Sequence, residues 1–306
     1  MLAALAGGVG AARFLSGLQR AVPPAEIVAV VNTADDEEFH GLYVSPDLDS
    51  VTYTLAGASN SVQGWGLEGE TFATLDALQR YKSDAWFRLG DKDLATHLYR
   101  TERLRAGASL SEVTAEIAHA WGLEVRLLPM TDDPVHTMVA VAGEGEIGFQ
   151  EYFVGRHHAV AITGVRFAGI EAALPGPGVL DALEAADVIV VAPSNPVVSI
   201  GPLLAVAGVR ERLVARRDAV VAVSPIIAGK ALKGPADRML GELGVPVSAV
   251  GVARWYRDVA GTLVIDREDG SLAADVEAQG VRGVVTDTIM STPERAAALA
   301  RKVIGR

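Results

Sequence analysis

Short unbroken apolar runs recur along this chain: Ile27 to Val31, Val125 to Leu128, Val188 to Ala192, Ala219 to Val223, Val247 to Val252 and Leu263 to Asp266. A strand that is apolar at every position has both faces buried, which is the condition of a parallel sheet covered by helices on two sides. The stretches between supply those helices, with apolar residues at helical spacing over Ala11 to Ala21, Val179 to Ala186, Pro235 to Gly244 and Pro293 to Val303. The pattern predicts an α/β fold with a doubly wound, mostly parallel, Rossmann-like sheet.

One region interrupts the alternation. Glu70 to Tyr81, Asp91 to Arg105 and Ser109 to Trp121 read as consecutive helices, the last opened by the capping-box spacing of Ser109 and Glu112. They predict an α-helical insertion over residues 50–122 that covers one sheet edge, with the core formed by 1–49 and 123–306. Farther on, Thr137 to Ala142, Ile147 to Phe153 and Ala159 to Phe167 alternate like antiparallel strands.

With 306 residues and half of them hydrophobic, the chain can bury a large core. No apolar run reaches the roughly 18 to 20 residues that span a bilayer, and the N-terminal segment meets glycines at once without a basic region. The sequence therefore predicts no membrane association, no signal peptide and a cytoplasmic protein. Zero cysteines exclude disulfides, thiolate nucleophiles and Cys-ligated metals, so any metal must rest on oxygen or histidine. A net charge of −11 argues against a nucleic-acid-binding surface. A small anionic substrate can still meet local cations and backbone amides.

Polar clusters fall just after the expected strands: Gly7-Gly8-Val9-Gly10, Asn32-Thr33-Ala34-Asp35-Asp36, Thr131-Asp132-Asp133, Ser194-Asn195-Pro196 and Ser224-Pro225. In open α/β sheets ligands bind outside the carboxyl ends of the strands, so these loops predict one shared cleft. The glycine turn leads into a helical pattern, the order in which amides at a helix N-terminus receive an anionic oxygen. It lacks the third glycine of a dinucleotide fingerprint and the Gly-Lys-Ser/Thr ending of a Walker loop, and a plain structural turn is its alternative.

Ser45-Pro46-Asp47-Leu48-Asp49-Ser50 places two carboxylates two residues apart. Like charges so close are solvated or share a cation, and Mg²⁺ typically takes one or two carboxylates together with substrate phosphates. The other reading makes them a cap and a first-turn dipole partner for a helix starting near Ser50. Asn32 and Thr33 are turn caps or ligands, Asp91 or Asp93 a helix cap, and His97 a packing side chain or a substrate contact. Lys230 and Lys233 hold phosphate or stay solvated.

This ordered series resembles the 2-phospho-L-lactate transferases of deazaflavin coenzyme (F-420) biosynthesis, including the type that uses a phosphoenolpyruvyl donor. Beyond the glycine turn and the Asp47 segment, it rests on Val31-Asn32-Thr33-Ala34-Asp35-Asp36, Arg88 through His97, Leu128 through Val135, Ala192-Pro193-Ser194-Asn195-Pro196, Ser199-Ile200-Gly201-Pro202, Val223-Ser224-Pro225-Ile226 and Asp287-Thr288-Ile289-Met290.

The resemblance implies a Mg²⁺-dependent transferase. It would move a 2-phospholactyl, enolpyruvyl phosphate or phosphoglyceryl group from a guanosine diphosphate diester to the ribityl hydroxyl of the deazaflavin FO, with release of GMP. Such transfer needs positioning and charge neutralisation more than a covalent nucleophile. By resemblance Asp49 and Arg88 bind FO, Asp49 receives the hydroxyl proton, and Asp47 with Asp49 holds the metal. Gly8, Gly10, Asn32, Ser194 and Asn195 bind the guanosine diphosphate portion. Arg13 stands where relatives often carry Lys, which keeps the charge and changes the donor geometry. A homodimer is implied as well. A nucleotide-sugar-binding metabolic regulator of the same fold is the competing reading, and the Asp47 to Asp49 and Arg88 to His97 segments weigh against it.

Overall fold

The computed structural model describes residues 1–60, 65–81 and 86–305. Its centre is a seven-stranded sheet of β1 (Leu2–Ala6), β2 (Ile27–Val31), β3 (Arg126–Pro129), β4 (Val188–Val191), β5 (Val220–Val223), β6 (Thr262–Asp266) and β7 (Arg282–Thr286). The spatial order is β7-β6-β5-β4-β1-β2-β3, and every neighbouring pair runs parallel. This is the doubly wound arrangement expected, extended by one strand at the β7 edge.

Alternate side chains of β1 feed two separate cores. Ala3 and Leu5 join Val30, Ile189 and Val191 on one face. Leu2, Ala4 and Ala6 join Ala29, Val31 and Val190 on the other. The second face is covered by α1 (Gly8–Leu18), which packs between α2 (Pro46–Leu55) and the C-terminal helix Pro293–Val303. Phe14, Leu15 and Leu18 of α1 are fully buried there, each stabilising the fold by about 1.5–3 kcal/mol. Gly17 permits the close crossing, since a Cβ at that position would lie 2.3 Å from the Ala296 carbonyl carbon.

Between β2 and β3 the chain forms α3 (Ala73–Leu78), α4 (Asp93–Arg105) and α5 (Leu110–Ala120). The capping box is present: Ser109 Oγ accepts from the Glu112 amide at 3.2 Å, and Glu112 Oε2 accepts from the Ser109 amide at 2.8 Å. Helix α5 packs on β3 and α4 packs on α5. Helices α3 and α4 are tied by reciprocal caps. Glu70 accepts from the amides of Lys92 (2.9 Å) and Asp93 (2.8 Å), while Asp91 accepts from Ala73 (2.9 Å) and Thr74 (3.0 Å). Asp91 is thus a cap for α3.

Several expectations need correction. Val247 to Val252 is not a strand; helix Ala249–Tyr256 covers most of it, capped by Ser248, whose hydroxyl accepts from the Gly251 amide. A short apolar run does not separate a buried strand from a buried helix face, and the serine decides. Ile147 to Phe153 is strand only over Gly145–Gly148, and then turns into the π-helical segment Glu151–Gly155. The strands His136–Val141 and Ile162–Ala168 pair antiparallel with each other, as the alternation predicts. Strand β7 is missing from the sequence reading because its residues are partly exposed at the sheet edge. Helix α2 starts at Pro46, so Asp47 and Asp49 both lie in its first turn.

Candidate active site

The strand order reverses at β1, whose neighbours β2 and β4 lead away in opposite directions. A cavity of about 860 Å³ opens at the carboxyl ends there. Gly7, Gly8, Gly10, Asp35, Ser194, Asn195, Ser224 and Pro225 line it, so four of the five strand-end loops converge. The fifth lies elsewhere and does structural work. Asp132 accepts from the Ser111 amide at the start of α5 (2.7 Å), and Asp133 accepts from the Leu174 amide (2.8 Å).

The glycine turn leaves no room for side chains. Gly8 has φ +68°, and a Cβ on Gly10 would sit 2.2 Å from the Pro193 carbonyl oxygen. A Cβ on Gly7 would meet Ser199 Cβ at 2.7 Å and Asp47 Oδ2 at 2.9 Å. Ser194 Oγ donates to the Gly7 carbonyl at 2.7 Å, which fixes the two loops to each other. Gly8, Val9 and Gly10 at the N-terminus of α1 line the cavity beside Asp47, and the Gly8 amide donates to the Asp47 carboxylate.

Asp47 and Asp49 both line the cavity, yet they serve different groups. Two residues on a helix are turned roughly 200° apart. Asp47 Oδ2 accepts from Asn32 Nδ2 at 3.0 Å, and the same nitrogen donates to Asp35 Oδ2 at 3.1 Å. Asn32 sits behind the cavity wall as the shared donor. Asp36, also behind the wall, accepts from Ser45 Oγ at 2.7 Å. Burial raises the Asp35 carboxyl well above the usual range, and the charge of Asp47 adds to it. Burial does the same to Asp36 and pushes Asp47 up to about 6. Asp35 Oδ1 and Asp36 Oδ1 are buried and have no hydrogen-bond partner among the described residues. Three buried carboxyls here meet only neutral donors at hydrogen-bond distance.

Asp49 is different, because it is ion-paired. Both its oxygens accept from Arg100 of α4, Oδ2 from Nη1 at 3.2 Å and Oδ1 from Nη2. Arg100 Nη1 also lies 3.5 Å from the Tyr43 carbonyl oxygen and 3.3 Å from His97 Nδ1. His97 Nε2 is 3.3 Å from Asp93 Oδ2, an ion-pair distance without hydrogen-bond alignment, and Tyr53 donates to Asp93 Oδ1 at 2.6 Å. Burial alone would raise the Asp93 carboxyl; His97, Tyr53 and Arg100 together outweigh it and hold that carboxyl below its ordinary value.

Part of the lining is aromatic, formed by Trp86, Phe87, Phe149 and Phe153. Phe87 is stacked on Phe39 at 4.0 Å, Trp86 meets Phe39 edge-on at 5.4 Å, and Phe149 and Phe153 are parallel at 5.6 Å. Arg88 also lines the cavity, its guanidinium 4.1 Å from the centre of the Phe72 ring. Arg13 and Lys233 also line the cavity, while Lys230 does not. Burial first, and the nearby Arg13 charge second, lower the Lys233 ammonium from its ordinary value.

Asp47, Asp49, Arg88, Gly8, Gly10, Ser194 and Asn195 are thus brought to one cavity, with Asn32 directly behind. Sequence reasoning missed Asp35 as the partner of Asp47, and it missed Arg100. The signal for Arg100 was present, since Asp93, His97 and Arg100 recur at the spacing of one helix face.

The sequence matches, over residues 2–304, the family described as 2-phospho-L-lactate transferase CofD. A phosphoenolpyruvate transferase of Streptomyces griseus is 46% identical over 98% of this chain and 96% of its own length. A 2-phospho-L-lactate transferase of Methanosarcina acetivorans is 38% identical over 98% of this chain and 97% of its own. Among solved structures, a Bacillus halodurans protein of the UPF0052 family superposes with a TM-score of 0.63 over 99% of this chain and 98% of that one. At 15% sequence identity that likeness concerns the fold alone.

Proposed function

The chain belongs to the 2-phospho-L-lactate transferase (CofD) family of transferases, and from that premise we propose the reaction it performs. A 2-phospholactyl, enolpyruvyl phosphate or phosphoglyceryl group passes from a guanosine diphosphate diester to the ribityl hydroxyl of FO, GMP departs, and the product enters coenzyme F-420 biosynthesis. One observation supports this most: a single cavity joins a glycine turn at a helix N-terminus, carboxylates lacking a cationic partner beside it, and aromatic rings in the same lining.

The residues present fit a magnesium ion. Asp35 and Asp47 line the cavity next to the glycine turn, Asp35 Oδ1 has no partner among the described residues, and carboxylate oxygens are the donors Mg²⁺ takes. Asp35 therefore replaces Asp49 beside Asp47 in this assignment, because the Arg100 charge already balances Asp49 while Asp35 and Asp47 have no cation among the described residues. A bound Mg²⁺ would neutralise phosphate charge.

The chain's own groups do the rest. The amides of Val9 and Gly10 at the α1 N-terminus receive diphosphate oxygens, with Ser194 and Asn195 bordering them. Arg13 and Lys233, neither ion-paired within the described residues, add positive charge where the nucleotide enters. Trp86, Phe87 and Arg88 flank the deazaflavin ring. Asp49 accepts the hydrogen bond of the ribityl hydroxyl and aligns its oxygen with the phosphorus that bears the three-carbon acid. Transfer through a loose transition state asks for that alignment more than for a strong base.

The test is incubation of purified protein with FO, Mg²⁺ and each of the three candidate donors, followed by product mass. One donor should give FO enlarged by the corresponding phospho-acid, together with GMP. No adduct from any donor would end the proposal.

A further inference from the structure

We infer that Arg100 is a positioning residue of the acceptor pocket: it fixes the Asp49 carboxylate toward the cavity, and His97 and Asp93 in turn fix Arg100. This rests on the reading above, in which Asp49 receives the acceptor's hydroxyl.

Arg100 is 2% exposed and does not line the cavity, whereas Asp49, Asp93, His97 and Tyr53 do. It therefore reaches Asp49 from the protein side. The guanidinium fork spans both carboxylate oxygens, which sets the plane of the carboxylate as well as its place. Each oxygen keeps a second lone pair for a ligand.

The tautomer of His97 follows from its neighbours. Nδ1 faces an Arg100 N–H and must be the acceptor, so Nε2 carries the proton and faces Asp93. His97 then has no lone pair left for a substrate proton. Its role is to orient Arg100. Asp93 is held in place by Tyr53 and by the Glu70 contact with its amide. A chain of contacts thus runs Tyr53, Asp93, His97, Arg100, Asp49, linking α2 to α4 in the cavity lining, with Arg100 alone behind it.

Asp49, Asp93 and His97 also have the spacing of metal ligands, with ligand atoms within 4.8 Å of one another. The cation at that place is already the protein's own, since Arg100 balances Asp49 there. The Asp35 and Asp47 pair has no such partner.

Arg100→Lys keeps the charge and cannot span both oxygens, and Arg100→Ala leaves a hole that free guanidinium can enter. Equilibrium binding of FO and of GDP is measured for both variants and for the unaltered protein, after circular dichroism shows each is folded. FO should bind about tenfold or more weakly in both variants, with GDP affinity held within about twofold, and guanidinium at millimolar levels should restore FO binding to Arg100→Ala. Should Arg100→Ala not fold, Arg100→Lys carries the comparison alone. FO and GDP both bound as before, or both lost together, would overturn the inference. Absence of FO binding by the unaltered protein would overturn the functional reading and this inference with it.

Discussion

Asn32 donates its side-chain amide to Asp47 at 3.0 Å, and the same nitrogen lies 3.1 Å from Asp35, so one neutral donor spans two buried carboxyls at the end of β2. Such a pair is stable as a protonated acid beside an anion, or as two anions around a cation. Gly8, Val9 and Gly10 of α1 line the cavity beside it. On the proposed reading the two carboxylates of the Asp47-Leu48-Asp49 segment serve different groups, Asp47 the phosphate and metal and Asp49 the acceptor.

Metal stoichiometry separates the two. The unaltered protein with GDP should bind one Mn²⁺, read by electron paramagnetic resonance. Asp47→Asn and Asp35→Asn should each weaken that binding by at least the roughly 10- to 100-fold that loss of an outer-shell partner costs. Asp49→Asn should keep the ion and lose turnover while staying folded. Loss of Mn²⁺ in Asp49→Asn alone would return the metal to the original pairing with Asp49.

The pH dependence follows from burial. In the metal-free protein the Asp47 carboxyl sits at about 6, above the ordinary value of 3.8. Between those values the folded protein keeps a proton that the unfolded chain has released, so stability falls as pH rises through the window. The metal-free melting temperature should therefore be higher near pH 5 than near pH 7, so far as this group governs it. Mg²⁺ must displace the proton, so it should raise the melting temperature more at pH 7 than at pH 5. An equal Mg²⁺ effect at both pH values would count against Asp47 as a ligand.

Much of this was legible in the sequence because strand interiors and strand-end loops carry separate signals. Continuous apolar runs at Ile27 to Val31 and Val188 to Ala192 marked parallel strands β2 and β4, and the polar residues that followed them reached the cavity. What stayed hidden depends on tertiary approach. Val247 to Val252 reads as a strand from its apolar run, and the helix cap at Ser248 overturns that. Asp35 fell within a polar cluster expected at the cleft, and only the tertiary approach of Asn32 and Asp47 singles it out. Arg100 shares one face of α4 with Asp93 and His97, but it lies 51 positions from Asp49, and no local spacing connects that face to the first turn of α2.

Gly10→Ala tests the cradle. Its Cβ would lie 2.2 Å from the Pro193 carbonyl oxygen, a backbone atom that cannot rotate away. The start of α1 and the loop after β4 must separate, which costs about 1–3 kcal/mol. A lower melting temperature and a GDP affinity reduced by tenfold or so are expected, with FO binding kept. Undiminished GDP binding would remove the glycine turn from the donor site.

Arg88 offers the sharpest split between the two substrates. Its guanidinium rests 4.1 Å above Phe72, at the residue that precedes α3, and α3 is locked to α4 by Asp91. The cation–π contact, about 0.5–1 kcal/mol when exposed and more when desolvated, holds the guanidinium in the wall without consuming its hydrogen-bond donors. Those donors stay available for a ligand beside Trp86 and Phe87. Arg88→Ala should raise KM for FO about tenfold, leaving KM for the donor within about twofold. Phe72→Leu removes the platform and keeps the charge, so it should shift the same constant by a smaller factor. Steady-state kinetics with each substrate varied in turn decides the matter, and equal changes in both constants would reject Arg88 as an acceptor contact.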